Sequence, residues 1–575
     1  MSQWHCIANA IYEGELIMDR ITVFTARRIH TMDPGRPTAS AVAIADGRIV
    51  SVGTLDSMAP WLRRVDHDID DRFKDDVLMP GFIDPHTHLR MSGTYMGLHY
   101  VGPIESHGPQ GPVAGLNDRD AVLARLTELV EAQNDPDRPV ITWGYDPGMQ
   151  NGHLDRDMLD RISDEVPIWV LSYAPHIVYT NTPMMERTGV TEDTTAHGIG
   201  RYPDGRLNGW FIETRAVGQA TRPVQAEVYR SGFGYDALLR QSRVAVRNGI
   251  TTVADLGWGF ESFENEWNDH AKASGDPGFP LRMVLIPFDV RLVTKFGDDR
   301  FDYLKSMRAQ GNDKLSVHGV KFINDGSYPS MTLRLNFPGY LDGEEGLTGE
   351  TQWADMVDCM LPYWQAGIQI HSHANGDQTV DMTLDTLAEL QLRHPRFDHR
   401  FTVEHYCIST VAQGKRLAAL GGLASVNPYF VHYRSLIHAD SGFGPDRAEA
   451  TARLGTLREA GVTFALHSDF NLVVGPMAPL TAAWVAVNRI AADDETVMAP
   501  GERISVMEAM RAVTIDAAFV LRRDHEIGSL EVGKLADLAI LEDDPFEVAP
   551  GALRDVPVKG TILGGVPYLS SDQDG

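Results

Sequence analysis

The chain is poor in cysteine. Its 575 residues include three, Cys6, Cys359 and Cys407, and no two of them form a Cys-x-x-Cys pair. Three thiols are too few for a disulfide framework, which fits a reducing compartment. No apolar run approaches the roughly 20 residues needed to span a bilayer. Basic residues are outnumbered, 51 Lys and Arg against 79 Asp and Glu, for a formal net charge of −28. Such a balance disfavours nucleic acid and anionic membrane as partners. Internal repeats and low-complexity tracts are missing. The first twenty residues, MSQWHCIANAIYEGELIMDR, lack a basic segment and carry Glu13, Glu15 and Asp19. They do not read as a signal peptide. Residues 1–18 read as an extension, with Met18 an alternative start because regular patterning begins there. A cytoplasmic location is expected.

What is present is ordinary for a globular protein: 43% hydrophobic and 23% charged residues. Residues 19–79 are dense in short β signals. ITVFTARRIHTMD and AVAIADGRIVSVG read as strands, the second broken by a tight Asp46-Gly47 turn. IGSLEVGKLADLAILEDDP and VKGTILGGVPYL near the other end have the same character. The pattern predicts a small β-sandwich built from residues 19–79 and 525–575, since chain ends commonly meet.

Between them, residues 80–524 alternate. Apolar runs recur as VLMPGFID, GITTVADLG, LRMVLIPFD, SVHGVKFIND, GIQIHSHAN, RFTVEHYCI, GGLASVNPYF and GVTFALHSD, separated by helical patterns. Eight such runs predict an α/β fold of the parallel (β/α)8 TIM-type barrel. The largest gap between runs, about residue 95 to 240, holds its own strand-like pieces RPVITWGYD and VPIWVLSYAP. It is expected to be a subdomain inserted after the first barrel strand.

His86 and His88 close the first run, in GFIDPHTHLR. Side chains at i and i+2 of a strand point the same way. Both imidazoles therefore face one side at a C-terminal strand end, where such barrels place their sites. Alone, the pair could as well be two surface histidines. Other strand ends carry matching chemistry: Lys321 before FINDGS, His371 and His373 in HSHANGD, Glu404 and His405 in VEHY, Asp469 in HSDFN. Imidazoles with a carboxylate suit zinc and similar ions. His371 precedes His373 by two residues and His467 stands likewise to Asp469, so both are expected to be deeper, packing or supporting histidines. Glu404 alternates away from His405 and is expected behind it.

GFIDPHTHL, GITTV, HANGD, VEH, SD and the terminal GSLEVGKLADLAIL together resemble the amidohydrolase superfamily, over nearly the whole chain from about residue 20. VKFINDGS, WGYDPGMQNGHLDRDMLD, YAPHIVYTNTPMMERTGV and PDGRLNGWFIETRA narrow the resemblance to amidohydrolase family 3, the YtcJ-like branch. The resemblance implies a divalent metal, zinc foremost. His86, His88 and Asp469 would hold one ion, and His373 and His405 a second. Lys321 would be carboxylated and bridge the two, although a single ion is also compatible. Asp469 would take a proton from the attacking water and pass it to the leaving nitrogen. A bare ammonium beside cations is electrostatically poor, whereas a neutralised amine converted to a carbamate is not. An ordinary salt bridge is the other reading of Lys321.

The activity so implied is hydrolysis of a C–N bond in a small amide, N-substituted amide or formamide. Hydrolysis of a lactone or ester needs the same site. A deaminase is less consistent, because HANGD offers Asp377 where the mononuclear deaminases of the superfamily carry a glutamate. A non-catalytic regulatory barrel would be expected to have lost a ligand. His176, where YAPH departs from the family pattern, is a candidate substrate contact. So are Tyr328, Tyr429 and Phe470, with His432 and Tyr433 nearby, either lining the pocket or packing beside it. A small molecule is the expected partner, and a homodimer is compatible with the sequence.

Overall fold

The computed structural model describes residues 20–108, 111–230, 233–349 and 351–573. The 1–18 extension and the alternative start at Met18 lie outside the described residues. The fold is mixed α/β. No helix among the described residues is long and apolar enough to cross a membrane.

Eight parallel strands carry the site. They are β1 (Phe82–Thr87), β2 (Ile250–Trp258), β3 (Arg282–Pro287), β4 (Val320–Ile323), β5 (Ile370–Ala374), β6 (Thr402–His405), β7 (Leu423–Val426) and β8 (Phe464–Leu466). All residues of these strands are buried except Ile323 of β4 and His373 of β5, which are partly so, as expected where helices cover a parallel sheet. They form two arcs. A short strand, Leu315–Val317, pairs with β3, which pairs with β2 and then β1; β4 through β8 pair in sequence order. The break falls at Gly319. Its φ of +58 is glycine's territory, and the chain there switches from a bond to Leu285 O to one with Gln369 O. A parallel bridge between Phe288 and Lys321 joins the arcs on one side. On the other, the Asp469 N–H donates to His86 O at 3.0 Å.

Strands from both chain ends form one eight-stranded sheet. Ile21–His30, Thr38–Ala45, Arg48–Gly53, His67–Asp70 and Val77–Pro80 join Leu538–Leu541, Val558–Leu563 and Val566–Leu569. The expected Asp46-Gly47 turn closes a hairpin, with φ of +50 and +72 at its two residues. A buried Arg282–Asp537 ion pair, 2.6 Å at its closest, ties this sheet to the start of β3.

Between β1 and β2 lies a separate six-stranded sheet drawn from residues 99–212. It contains Val140–Tyr145 and Ile168–Ser172, the two pieces legible as strands in the sequence. Beyond the first of these, Asp146 accepts from the Arg434 guanidinium through both oxygens, and both side chains are buried. Arg434 lies on the helix Tyr429–Ile437 after β7. This six-stranded sheet is thus anchored to the chain segment next to the site.

Candidate metal centre

The pairing register decides which side chains meet. Lys321 lies opposite His371, and His373 opposite Glu404. In-register residues of neighbouring strands point to one face, so these four share it. His405 follows Glu404 by one residue, and a regular strand would turn it away. Instead His405 and Tyr406 take φ of +71 and +44, and the strand ends in a left-handed bend. The His405 ring comes to lie 4.7 Å from that of His86 and 4.6 Å from that of His373. Alternation alone places Glu404 behind His405; the structure places it among the imidazoles.

His86 lies at the end of β1, and His88 precedes the helix Leu89–Tyr95. A Cβ at Gly257 would sit 2.7 Å from His88 Nδ1, so a residue without a side chain makes room for this ring. His88 Nε2 is 3.3 Å from Asp469 Oδ1, His86 Nε2 is 3.8 Å from the same oxygen, and His405 Nδ1 is 3.9 Å from Oδ2. Lys321 Nζ is 3.4 Å from His86 Nε2. His86, His88 and Asp469 bring ligand atoms within 4.8 Å of one another, and so do His86, His405 and His467. Asp84 fixes the seam beside them, accepting from the Ser468 hydroxyl at 2.5 Å and the Ser468 N–H at 3.1 Å.

His405 Nδ1, both ring nitrogens of His467 and Asp469 Oδ1 are buried without a hydrogen-bond partner. Leaving such atoms unpaired costs about 1–3 kcal/mol each. Neutral imidazoles converging with a carboxylate are the donor set a divalent cation takes. The residues present therefore fit the metal that the class requires.

Charge is arranged to the same end. Burial holds His86 and His405 well below the usual imidazole range, with Lys321 adding to the effect on His86 and His373 to that on His405. Burial lowers His467 to about 4. It lowers the Lys321 amine to about 8, against the pull of Glu404 and Asp469. Burial works to raise Glu404, but the His371 hydrogen bond and the Lys321 charge outweigh it and bring the carboxyl down to about 2. Asp469, also opposed by burial, is held well below the usual carboxylate range by His86 and His88. The neutral imidazoles and ionised carboxylates are the forms that bind metal.

Other expected residues are placed differently. The His373 ring lies beside His405, but its Nε2 is 2.8 Å from Asn375 Nδ2 and 3.1 Å from Gly326 O, so that nitrogen faces protein. Tyr328 is fully buried, its hydroxyl 2.8 Å from Thr451 Oγ1 and its ring stacked on Phe430 and His438. Tyr429 is equally enclosed and donates to Ala478 O at 2.7 Å. Phe470 is buried, with its backbone bonded to Ser92 and Ser468. His176 lies half-buried between the strands Ile168–Ser172 and Ile177–Thr180.

A mixed α/β chain with this donor set at one end of its parallel strands is of the metal-dependent hydrolase class. The particular family is the amidohydrolase family: residues 74–568 match it, and the chain belongs to it. It is a hydrolytic enzyme of carbon–nitrogen bonds. Protein LONG AFTER FAR-RED 3 of Arabidopsis thaliana is 27% identical over 95% of this chain and 90% of its own. N-substituted formamide deformylase of Arthrobacter pascens is 25% identical over 94% and 96%. Among solved structures, a metal-dependent hydrolase from Pyrococcus horikoshii superposes with a TM-score of 0.70 at 19% identity, covering 92% of this chain and 99% of that one.

Proposed function

We propose that the protein hydrolyses the C–N bond of a small amide, an N-substituted amide or formamide, with a divalent metal, zinc foremost. The observation that carries this reading is the buried cluster of neutral imidazoles around the unpartnered Asp469 oxygen. The similarity to an N-substituted formamide deformylase favours an amide over a lactone. The parallel arcs are read as one (β/α)8 barrel, the sheet from both chain ends as a separate domain, and the inserted sheet as a cap over the barrel mouth, carrying His176 towards the substrate.

His86, His88 and Asp469 would hold one ion. His405 and His373 would hold a second, the latter through the ring nitrogen not turned to Asn375. When bound, the metal lowers the pKa of water and polarises the substrate carbonyl. Asp469 accepts the proton of the attacking water and delivers it to the leaving nitrogen. Lys321, its amine lowered by burial to about 8, adds carbon dioxide in its neutral form and releases a proton to become a carbamate. Its new oxygens replace a cation with an anion beside His86.

The test uses protein stripped by a chelator and reloaded with Zn2+ or Mn2+, assayed against N-substituted formamides, N-acyl amines and lactones. Turnover of amides by loaded but not stripped protein is expected. Full activity without metal, or turnover of lactones alone, overturns the reading.

A further inference from the structure

His467 has no role in the proposed function above, and its surroundings are unlike those of a packing histidine. A neutral imidazole has one donor and one acceptor nitrogen, and buried polar groups in proteins are nearly always paired. Four other buried imidazoles each have at least one ring nitrogen bonded, although Nε2 of His371 and of His270 has no partner. His371 bonds Glu404 Oε1, His270 bonds Glu266 O, His399 bonds Leu420 O and His432 bonds Ile490 O. His467 is 1% exposed, and neither of its nitrogens has a partner. Of the histidines among the described residues, it alone has both ring nitrogens buried and unpaired.

Its neighbours are imidazoles. The His467 ring lies 4.5 Å from that of His86 and 5.1 Å from that of His405. One ligand atom from each of the three lies within 4.8 Å of the others, a grouping distinct from the His86, His88 and Asp469 set. His86 is held through Nδ1 by Glu404, but His405 Nδ1 and both nitrogens of His467 have no protein partner. A cation between them pairs nitrogens that the protein leaves unpaired. The chain direction agrees: His467 follows β8 immediately and precedes Asp469 by two residues, one step deeper along the chain.

We propose that His467 is a direct ligand of the metal centre, forming with His86 and His405 a deeper coordination position than the one around Asp469. This rests on the metal-hydrolase reading given above. His86, through its one free Nε2 lone pair, serves whichever of the two positions the ion takes, and the centre holds one more imidazole than the strand-end pattern of the sequence implies.

The experiment titrates metal-free protein with Co2+, for the full chain and for His467→Gln and His467→Phe, with a chromophoric chelator as competitor. Both variants are expected to bind their tightest Co2+ at least tenfold more weakly, since even losing a supporting partner of a ligand costs about 10–100-fold. The visible d–d bands should change in intensity and position. Affinity within twofold of wild type and unchanged bands in either folded variant overturn the proposal while leaving the metal-hydrolase reading intact. Wild-type protein that takes up no Co2+ overturns both. Should neither variant fold, the Co2+-loaded wild type decides by proton NMR. Five exchangeable, hyperfine-shifted imidazole N–H signals support the assignment, and four or fewer overturn it.

Discussion

The Glu404 carboxylate holds His86 across the arcs, its Oε2 2.7 Å from His86 Nδ1. Its other oxygen is 2.7 Å from His371 Nδ1. Glu404 is ionised and fully buried, so both imidazoles must donate. The bond fixes the His86 tautomer and leaves the Nε2 lone pair facing Asp469 and Lys321. Carboxylates in this position raise the basicity of a ligand imidazole and hold its plane.

Glu404→Gln is expected to separate the two bonds. An amide has one acceptor oxygen, so one ring nitrogen would face an NH2 group instead. Metal affinity should fall about 10–100-fold. Metal-free protein should lose about 1–3 kcal/mol for the buried mismatch. Competition titration and denaturant unfolding of the metal-free variant measure the two effects separately. Unchanged affinity would show that the bond supports the fold and not the ligand.

This carboxylate also marks where the sequence stops being legible. The eight apolar runs and the polar residues at their ends could be read because periodicity and strand length are local properties. His86, His88 and Asp469 came together as their strand positions imply. Alternation turns Glu404 away from His405, because it assumes a regular strand to its last residue, whereas the structure brings both to the site. A positive φ at His405, a long-range constraint at the strand end, carries no signature in VEHY. His467 was unreadable for another reason. Whether a buried ring finds a partner depends on what other strands, here β1 and β6, bring beside it.

The anchorage of the six-stranded sheet gives a stability prediction. Asp146 and Arg434 are both buried and bonded through both oxygens. Removing one partner leaves a buried charge, at about 3–5 kcal/mol. Asp146→Ala should therefore destabilise strongly in chemical denaturation. The double variant Asp146→Leu with Arg434→Met should recover part of the loss, because no charge is left unpaired. A double variant no better than the single would mean that the bond geometry, not the orphaned charge, carries the effect.

Lys321 predicts a pH dependence in metal-free protein. Its folded amine titrates at about 8 because of burial, against an ordinary value of 10.5. Between these values the unfolded chain binds more protons, so stability rises with pH. Below about 8 both states are protonated and the penalty is at its largest. Metal-free Lys321→Met should then exceed wild type by about 1–3 kcal/mol near pH 7. The gap should narrow as pH climbs from about 8 past 10. Denaturant midpoints at pH 7, 9 and 10 test this, and a gap constant across them would place the amine in water. In loaded enzyme the same variant should lose most activity, and a short carboxylic acid should restore part of it by filling the place of the carbamate.

Asp469 is the residue on which the chemistry turns, and its backbone dictates which substitution is informative. Its φ is +52, and its N–H donates to His86 O, so the residue sits in a left-handed bend that closes the seam between β8 and β1. Asparagine enters that region readily and alanine does not. Asp469→Ala would confound lost chemistry with backbone strain. Asp469→Asn keeps the bend, the side-chain shape and one oxygen to face His88 or a metal. It cannot accept a proton. With the carboxylate held ionised by His86 and His88 in the native protein, the lost function is that of a base throughout the neutral range. The expected result is a kcat lower by about 10²–10⁴, the usual contribution of a positioned acid–base group. Thermal midpoint should stay close to wild type, and the variant should still take up metal, more weakly. Assays on loaded protein, with metal content measured on the same sample, keep the two losses apart. A variant that holds metal and turns over at the wild-type rate would move the proton transfer to another group, and Glu404, the next carboxylate inward, would then be the one to test.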